Sequence, residues 1–363
     1  MKPIAHYVAA HACTVAAEEL RLIRAAAPAF RDWFKATGRP DYVNTFDLAG
    51  VPYPTRFGTF GAAWSPLPYV TITNRMIVVR WRAEGGKTRT LLFEPTDLEL
   101  ARNAPFYVKV AERTPAMVQR LVYKEHGTVE THLKAIGLRP EDVDYLTFDH
   151  LHTQDVRRLV GTQGPAADLS PDGPVPPRFP NAKLIVQRRE LELLRNMHPL
   201  QAAWYQPRTF TDLREGSLEV IDGDVLLGPG VALLHTPGHS AGNHSLCLHT
   251  DSGIWASSEN VIATEFMTPE HSRIPGILPW LRTFGMEVVL NGNTLENTAQ
   301  QYNSVIKEKT IVDPSIVDDR FLQFFPSSEL SPSWHNPAAA PGFMHRRIRH
   351  GGGSLAASRS PNG

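Results

Sequence analysis

Along the 363 residues the spacing of hydrophobic positions changes period several times. Between Ala16 and Phe34 the apolar residues Leu20, Ile23, Ala27 and Phe30 recur at helical steps, and Glu18 and Glu19 sit early, where acids favour the helix dipole. From Pro68 the pattern becomes strand-like. Residues 76–81, a turn at residues 84–87 and residues 88–93 predict a β-hairpin rich in β-branched side chains. Thr128 as N-cap, a stripe of Val129, Leu133 and Ile136, and Gly137 as the stop predict a helix. A short alternating strand over residues 143–149 runs straight into His150. Residues 161–180, rich in Pro, Gly and Asp, predict an exposed loop. A strand at Leu184–Val186 and a charged helix over residues 190–196 follow. Further strands are predicted at residues 218–222, 231–234, 245–249 and 253–256. A last helix over residues 294–307, with Leu295, Ala299, Tyr302 and Ile306 on one side, leads to a closing strand over residues 310–313. This order predicts an α/β chain with two sheets sandwiched between helices, not a simple alternating sheet.

Charge narrows the function classes. Thirty-seven Lys and Arg balance 37 Asp and Glu, so no general excess of positive charge is available for nucleic-acid binding or a polybasic membrane anchor. No window reaches the apolar length of a spanning helix, and the first twenty residues lack the apolar core of a signal peptide. The two cysteines, Cys13 and Cys247, form no disulfide framework and fit a reducing compartment. A soluble, cytoplasmic protein acting on a small molecule is therefore expected, with neither nucleic acid nor membrane as partner. Residues 331–363 contain no acid but four Arg, five Gly and four Pro. They read as a flexible tail behind a main domain at 41–330, with a helical arm at 1–40 in front.

Of the 15 histidines, three fall where they could act together. His150 and His152, two apart after a strand, point to one face of an extended segment. A second strand ends in Thr236-Pro-Gly-His239, presenting a third imidazole. Three neutral imidazoles from two strand ends make the open three-ligand site of catalytic zinc, which leaves room for a water of lowered pKa. A third strand end supplies Glu259. The neighbouring His235 and His244 read as strand-end or supporting residues, and Asp149 as an orienting partner of His150 or a plain strand-end acid. The aromatic, Pro-rich residues 266–280 read as either packed loop or pocket wall.

In this order, the block at residues 144–155, the block at residues 236–239 and the strand ending in Glu259 resemble the metallo-β-lactamase fold superfamily, in the branch of N-acyl homoserine lactonases and related metallo-hydrolases. The resemblance runs from about Pro68 to Asp313 and implies a four-layer αβ/βα sandwich with the metal site at the sheet edges. It also implies a hydrolase in which a metal-bound hydroxide attacks a lactone, ester or amide carbonyl. The sequence departs from the family pattern His-x-His-x-Asp-His, because Gln154 and Asp155 stand where the family's Asp and second His would be. The bridging Asp is replaced by Glu259, and the register of the late His puts Ile316 in its slot, with Asp313, His271, His335 and His345 as substitutes. The ligand set expected is His150, His152, His239, Glu259 and Asp155, with Gln154 and Asp155 in the catalytic positions. One zinc ion is the expected cofactor, and a second ion, or manganese or iron, is the alternative. Two rival functions are a degenerate member that binds metal or ligand without catalysis and an iron-dependent redox enzyme.

Overall fold

A computed structural model describes residues 1–199, 201–292 and 298–351. The helix and the sheets follow from period. In the strand Val231–His235, Val231 and Leu233 face one way and Ala232 and Leu234 the other. In the strand Tyr69–Arg82 the same alternation separates Ile77 and Val79 from Met76 and Val78. Each strand therefore has two apolar faces, and a sheet built from such strands must be covered on both sides.

Two sheets meet this requirement. The smaller runs in the order Lys2–Pro3, Val225–Gly228, Val231–His235, His244–Thr250 and Gly253–Ser257, all antiparallel. The larger is mixed. Its order is Leu218–Ile221, Lys183–Gln187, Tyr145–Thr147, Thr88–Phe93, Tyr69–Arg82, Tyr42–Pro54 and Arg349–His350, with Ser328–Ser331 also paired to Tyr69–Arg82. Ile77, Val79, Leu91, Leu233, Leu246 and Leu248 fill the space between the sheets. The helices Ala16–Ala36 and Thr298–Ile311 cover the outer face of the smaller sheet through Phe30, Phe34, Val305 and Ile306. The helices Val129–Ala135, Val156–Val160 and Arg188–Arg195 cover the larger one through Val129, Leu133, Val156 and Leu191. The result is the four-layer αβ/βα sandwich.

Several expectations need correction. The first helix is no arm: Phe30 and Phe34 are 0% exposed, and Arg31 donates to the carbonyls of Ile311 and Val312 and pairs with Asp313. Residues 310–313 form no strand among the described residues, because Thr310 and Ile311 finish the helix Thr298–Ile311. The predicted start of that helix, with Leu295, lies outside the described residues. The loop over residues 161–180 contains a small paired ribbon, Pro165–Ala166 with Ser170–Pro174. The long strand Tyr42–Pro54 escapes the alternation because its register shifts between Asp47 and Ala49 and Gly50, Pro52 and Pro54 interrupt it.

The first part of the expected flexible tail is packed. Glu265 accepts the Gly342 amide at 2.6 Å and the Phe343 amide at 3.2 Å, supplying the carboxylate that the tail lacks. Ile348 is buried between the sheets, and residues beyond 351 lie outside those described. His345 sits edge-on against Trp255, with a ring nitrogen 2.7 Å from the Leu322 carbonyl oxygen. Burial lowers its pKa from the ordinary 6.5 to about 4. Because its folded pKa is depressed, His345 leaves the fold intact above pH 6.5 and costs stability as pH falls from there towards 4. We expect His345→Gln to reduce the loss of unfolding free energy between pH 7 and pH 5 by about 1–2 kcal/mol, measured by urea unfolding at both values. An unchanged pH dependence would show that the segment is not packed in solution.

Candidate metal centre

The strand Tyr145–Thr147 ends beside the smaller sheet, and the backbone then turns so that Asp149 and His150 are both buried. Asp149 is the hub of this turn. One of its oxygens accepts the Nδ1 proton of His150 at 2.5 Å. The other accepts the Glu259 amide at 2.6 Å and the Ser327 hydroxyl at 2.9 Å. Its own amide donates to Glu94 at 2.5 Å, and its carbonyl accepts the His244 amide at 2.8 Å. One side chain and its peptide groups thus join both sheets at the first histidine. Burial alone would push Asp149 up, but the charge and hydrogen bond of His150 reverse this and hold it below the usual carboxylate range. In return, His150 is held up at about 9, against the effect of its own burial, by the adjoining carboxylate.

A second buried acid, Glu190, ties the two histidine blocks together. One oxygen accepts the Leu151 amide at 2.8 Å and the Tyr205 hydroxyl at 2.6 Å; the other accepts the Ser240 hydroxyl at 2.5 Å and the Gly242 amide at 3.2 Å. Gly238 lets the second block pass close to the helix Thr298–Ile311. Its φ is +132°, and a Cβ there would lie 2.3 Å from the Gln301 backbone. Between the histidine pair and Gln154, Thr153 takes a φ of +63°, a strained value for a β-branched residue.

These supports bring His150, His152 and His239 together, with one ligand atom of each within 4.8 Å of the others. All three are buried. His152 Nε2 lies 2.7 Å from Gln201 Oε1 and donates to it, leaving Nδ1 as the free lone pair. His150 spends Nδ1 on Asp149, and its Nε2 is buried without a hydrogen-bond partner. Burial lowers the pKa of His152 well below its ordinary value and that of His239 to about 3, so both rings are neutral. Two neutral imidazoles and a third, His150, that is fixed by a carboxylate and has its Nε2 buried without a hydrogen-bond partner fit a metal ion, whose binding would displace the Nε2 proton of His150. Three nitrogen donors suit zinc. Asp149, His150 and Glu259 form an overlapping set, with a Glu259 oxygen 4.0 Å from His150 Nε2. Burial raises the Glu259 carboxyl to about 7.

The other expected ligands are placed differently. Asp155 is not brought to the histidines. It caps the helix Val156–Val160 through the Arg157 amide, and both its oxygens accept from the Arg157 guanidinium at 2.9 and 2.8 Å. Arg157 neutralises it where a metal would otherwise have to. Gln154 does line the cleft with His150, His152 and Glu259, where its amide donates to Thr96 at 2.8 Å. Ile316 is 75% exposed and far from any such role, while Ser328 lines the cleft beside Glu259. Asp313 is engaged by Arg31, and His345 by Leu322. His244 donates to Thr147 at 2.8 Å, which makes it a structural support. Residues 266–280 bury Phe266, Met267, Ile274 and Ile277 in the core and none lines the cleft. Its wall comes instead from Tyr53, Tyr107, Tyr123 and Trp204. Glu94 and Glu190 carried a faint sequence signal, each an acid at or just beyond the end of an apolar strand; Tyr107 and Trp204 carried none.

No protein-family model matches the chain. An N-acyl homoserine lactonase of Bacillus cereus is 33% identical over 129 residues, covering 35% of this chain and 41% of that protein. An N-acyl homoserine lactonase of Bacillus thuringiensis subsp. kurstaki is 30% identical over 127 residues, again 41% of its length. The chain thus spans about two-fifths of the length of the curated relatives it matches. Among solved structures, a probable metal-dependent hydrolase from Staphylococcus aureus aligns at 12% identity with a TM-score of 0.49, over 74% of this chain and 84% of that one. A quorum-quenching N-acyl homoserine lactone lactonase aligns at 20% identity with a TM-score of 0.44, over 68% of this chain and 87% of that one.

We expect Glu190→Ala to weaken zinc binding by about 10- to 100-fold, measured by competition with a chromophoric chelator, because both histidine loops lose their common acceptor. Unchanged affinity would mean that the loops are positioned without it. The chain thus combines a layered αβ/βα sandwich and a buried cluster of three histidines with a segment of 129 residues that is similar to an N-acyl homoserine lactonase.

Proposed function

We propose that the chain is a hydrolase that opens a carbonyl substrate, with a lactone as the first choice, at a single zinc ion held by His150, His152 and His239. The observation that carries this reading is the buried three-imidazole cluster with its partnerless His150 nitrogen. The lactone is supported by the N-acyl homoserine lactonases that share the homologous segment. When bound, zinc supplies the positive charge that polarises a carbonyl and makes water acidic near neutral pH.

The chain's own groups do the rest. Asp149 fixes the tautomer of His150, and Gln201 fixes that of His152. Glu259, with an oxygen 4.0 Å from the open nitrogen of His150, is placed to take a proton from water and return it to the leaving oxygen. Gln154, braced on Thr96, presents a neutral amide to the cleft and orients what lies there. The aromatic walls, Tyr53, Tyr107 and Trp204, exclude water around an apolar substituent. Asp155 is neutralised by Arg157 and Ser328 offers only a hydroxyl, so neither adds a carboxylate to the overlapping set of Asp149, His150 and Glu259; this favours one zinc over two ions and over manganese or iron. The same loss supports the rival reading, a metal-binding member without catalysis.

Metal analysis of purified protein is expected to give about one zinc per chain, and ring opening of an N-acyl homoserine lactone, followed by proton release, is expected to depend on it. Chelation, His150→Ala and His239→Ala should each lower the rate by about two orders of magnitude or more, and zinc should restore only the chelated wild type. Bound zinc without turnover of lactones or aryl esters would support the rival reading. Activity that survives both substitutions would remove the cluster from the mechanism.

A further inference from the structure

Resting on the hydrolase reading above, we infer that the substrate carries a carboxylate apart from its scissile carbonyl and that Arg102 is the residue that selects it. Arg102 lines the same cleft as His150, His152 and Glu259. Among the described residues no carboxylate forms an ion pair with it. Its supports are neutral: one guanidinium nitrogen donates to Gln119 Oε1 at 3.0 Å, and the guanidinium carbon lies 4.7 Å from the centre of the Tyr123 ring. Gln119 is itself fixed, since its amide nitrogen donates to the carbonyls of Ala111 at 2.9 Å and Thr114 at 2.8 Å. With both amide protons engaged, its oxygen is turned to Arg102. The guanidinium plane is therefore set in advance while most of its N–H donors have no anion. A planar, delocalised cation held this way matches a carboxylate, which it can bind through two parallel hydrogen bonds.

The rest of the cleft directs an anion to the same end. Glu94 and Glu259 lie in this cleft with the histidines and offer an anion no cationic donor. Thr96, Gln154, Asn74 and Ser328 already bond one another in pairs. Arg102 is the one Lys or Arg among the cleft residues, so a monoanion suits it better than a phosphate, which needs more cationic donors. Residues 98–124, which carry Arg102, contain five basic residues against two acidic ones, a local departure from the neutral whole. Lys109 and Arg113 from this segment line an adjoining apolar groove that shares Tyr123 with the cleft. The field there favours an approaching anion.

The test uses zinc-loaded full-length protein and two series of N-acyl homoserine lactones of matched chain length, one ending in methyl and one in carboxylate. At the best length, the carboxylate series is expected to show kcat/KM about tenfold or more above its methyl counterpart. Arg102→Gln should erase that preference through KM while leaving the methyl series within about twofold, and Arg102→Lys should keep part of it. Added salt should weaken the carboxylate series alone. A methyl series that is hydrolysed with no carboxylate preference at any length, or a preference that survives in Arg102→Gln, overturns the inference and leaves the hydrolase reading standing. If neither series is hydrolysed, the choice of a lactone falls, and calorimetric binding of ω-carboxy acyl amides against plain acyl amides judges Arg102 separately. Tighter binding of the carboxylates that Arg102→Gln abolishes supports the anion site, and equal binding of the two overturns it.

Discussion

The hydrogen-bonded pair of Asp149 and His150 is the interaction on which the rest of the site depends. A buried carboxylate is costly unless every lone pair finds a donor. Asp149 finds its donors in His150, Glu259 and Ser327, which belong to three separate stretches of the chain. Meeting that one requirement brings the edges of both sheets to the same point. It also leaves the other nitrogen of His150 buried and open. The cost of burying the acid is thus offset by donors that at the same time assemble the metal cradle.

Glu190 repeats the device one layer out, and Glu308 repeats it behind the smaller sheet. Glu308, fully buried, accepts the hydroxyls of Ser245 and Ser258 and the amide of Asn260, and burial raises it to about 7. Ser304 on the same helix donates to the Pro237 carbonyl at 2.6 Å. The helix Thr298–Ile311 therefore grips both the turn before His239 and the strand end before Glu259. A scaffold of apolar layers sets the distances between sheets, and a few buried acids set the loops to within hydrogen-bond precision.

How much of this was legible in the sequence depends on the range of the interaction that decides each feature. The strands around Ile77 and Leu233 and the helix capped at Thr128 are written in local periodicity, and the structure has them. His150 and His152 were legible as a pair, although a turn after the strand Tyr145–Thr147 brings their rings together where an extended two-residue repeat was expected, and His239 follows from a strand end with a Pro-Gly turn. What could not be read is decided by which partner each side chain meets once the chain has folded. Asp155 looks like a ligand beside two histidines, yet Arg157, two residues on, claims it once a helix begins there. The acid-free segment after Ser331 looks unable to hold itself in place, and the acid that anchors it, Glu265, lies more than seventy residues earlier. The aromatic cleft wall comes from Tyr107 and Trp204, in stretches with no motif, while the aromatic residues 266–280 that drew attention fill the core.

The central claim is a single metal held by three imidazoles. X-ray absorption at the zinc edge of reconstituted protein tests it most directly. The account requires a first shell of nitrogen and oxygen at about 2.0–2.1 Å with the outer-shell scattering of three imidazoles. A metal–metal feature at about 3.5–4 Å, or a shell with fewer than three imidazoles, would contradict it.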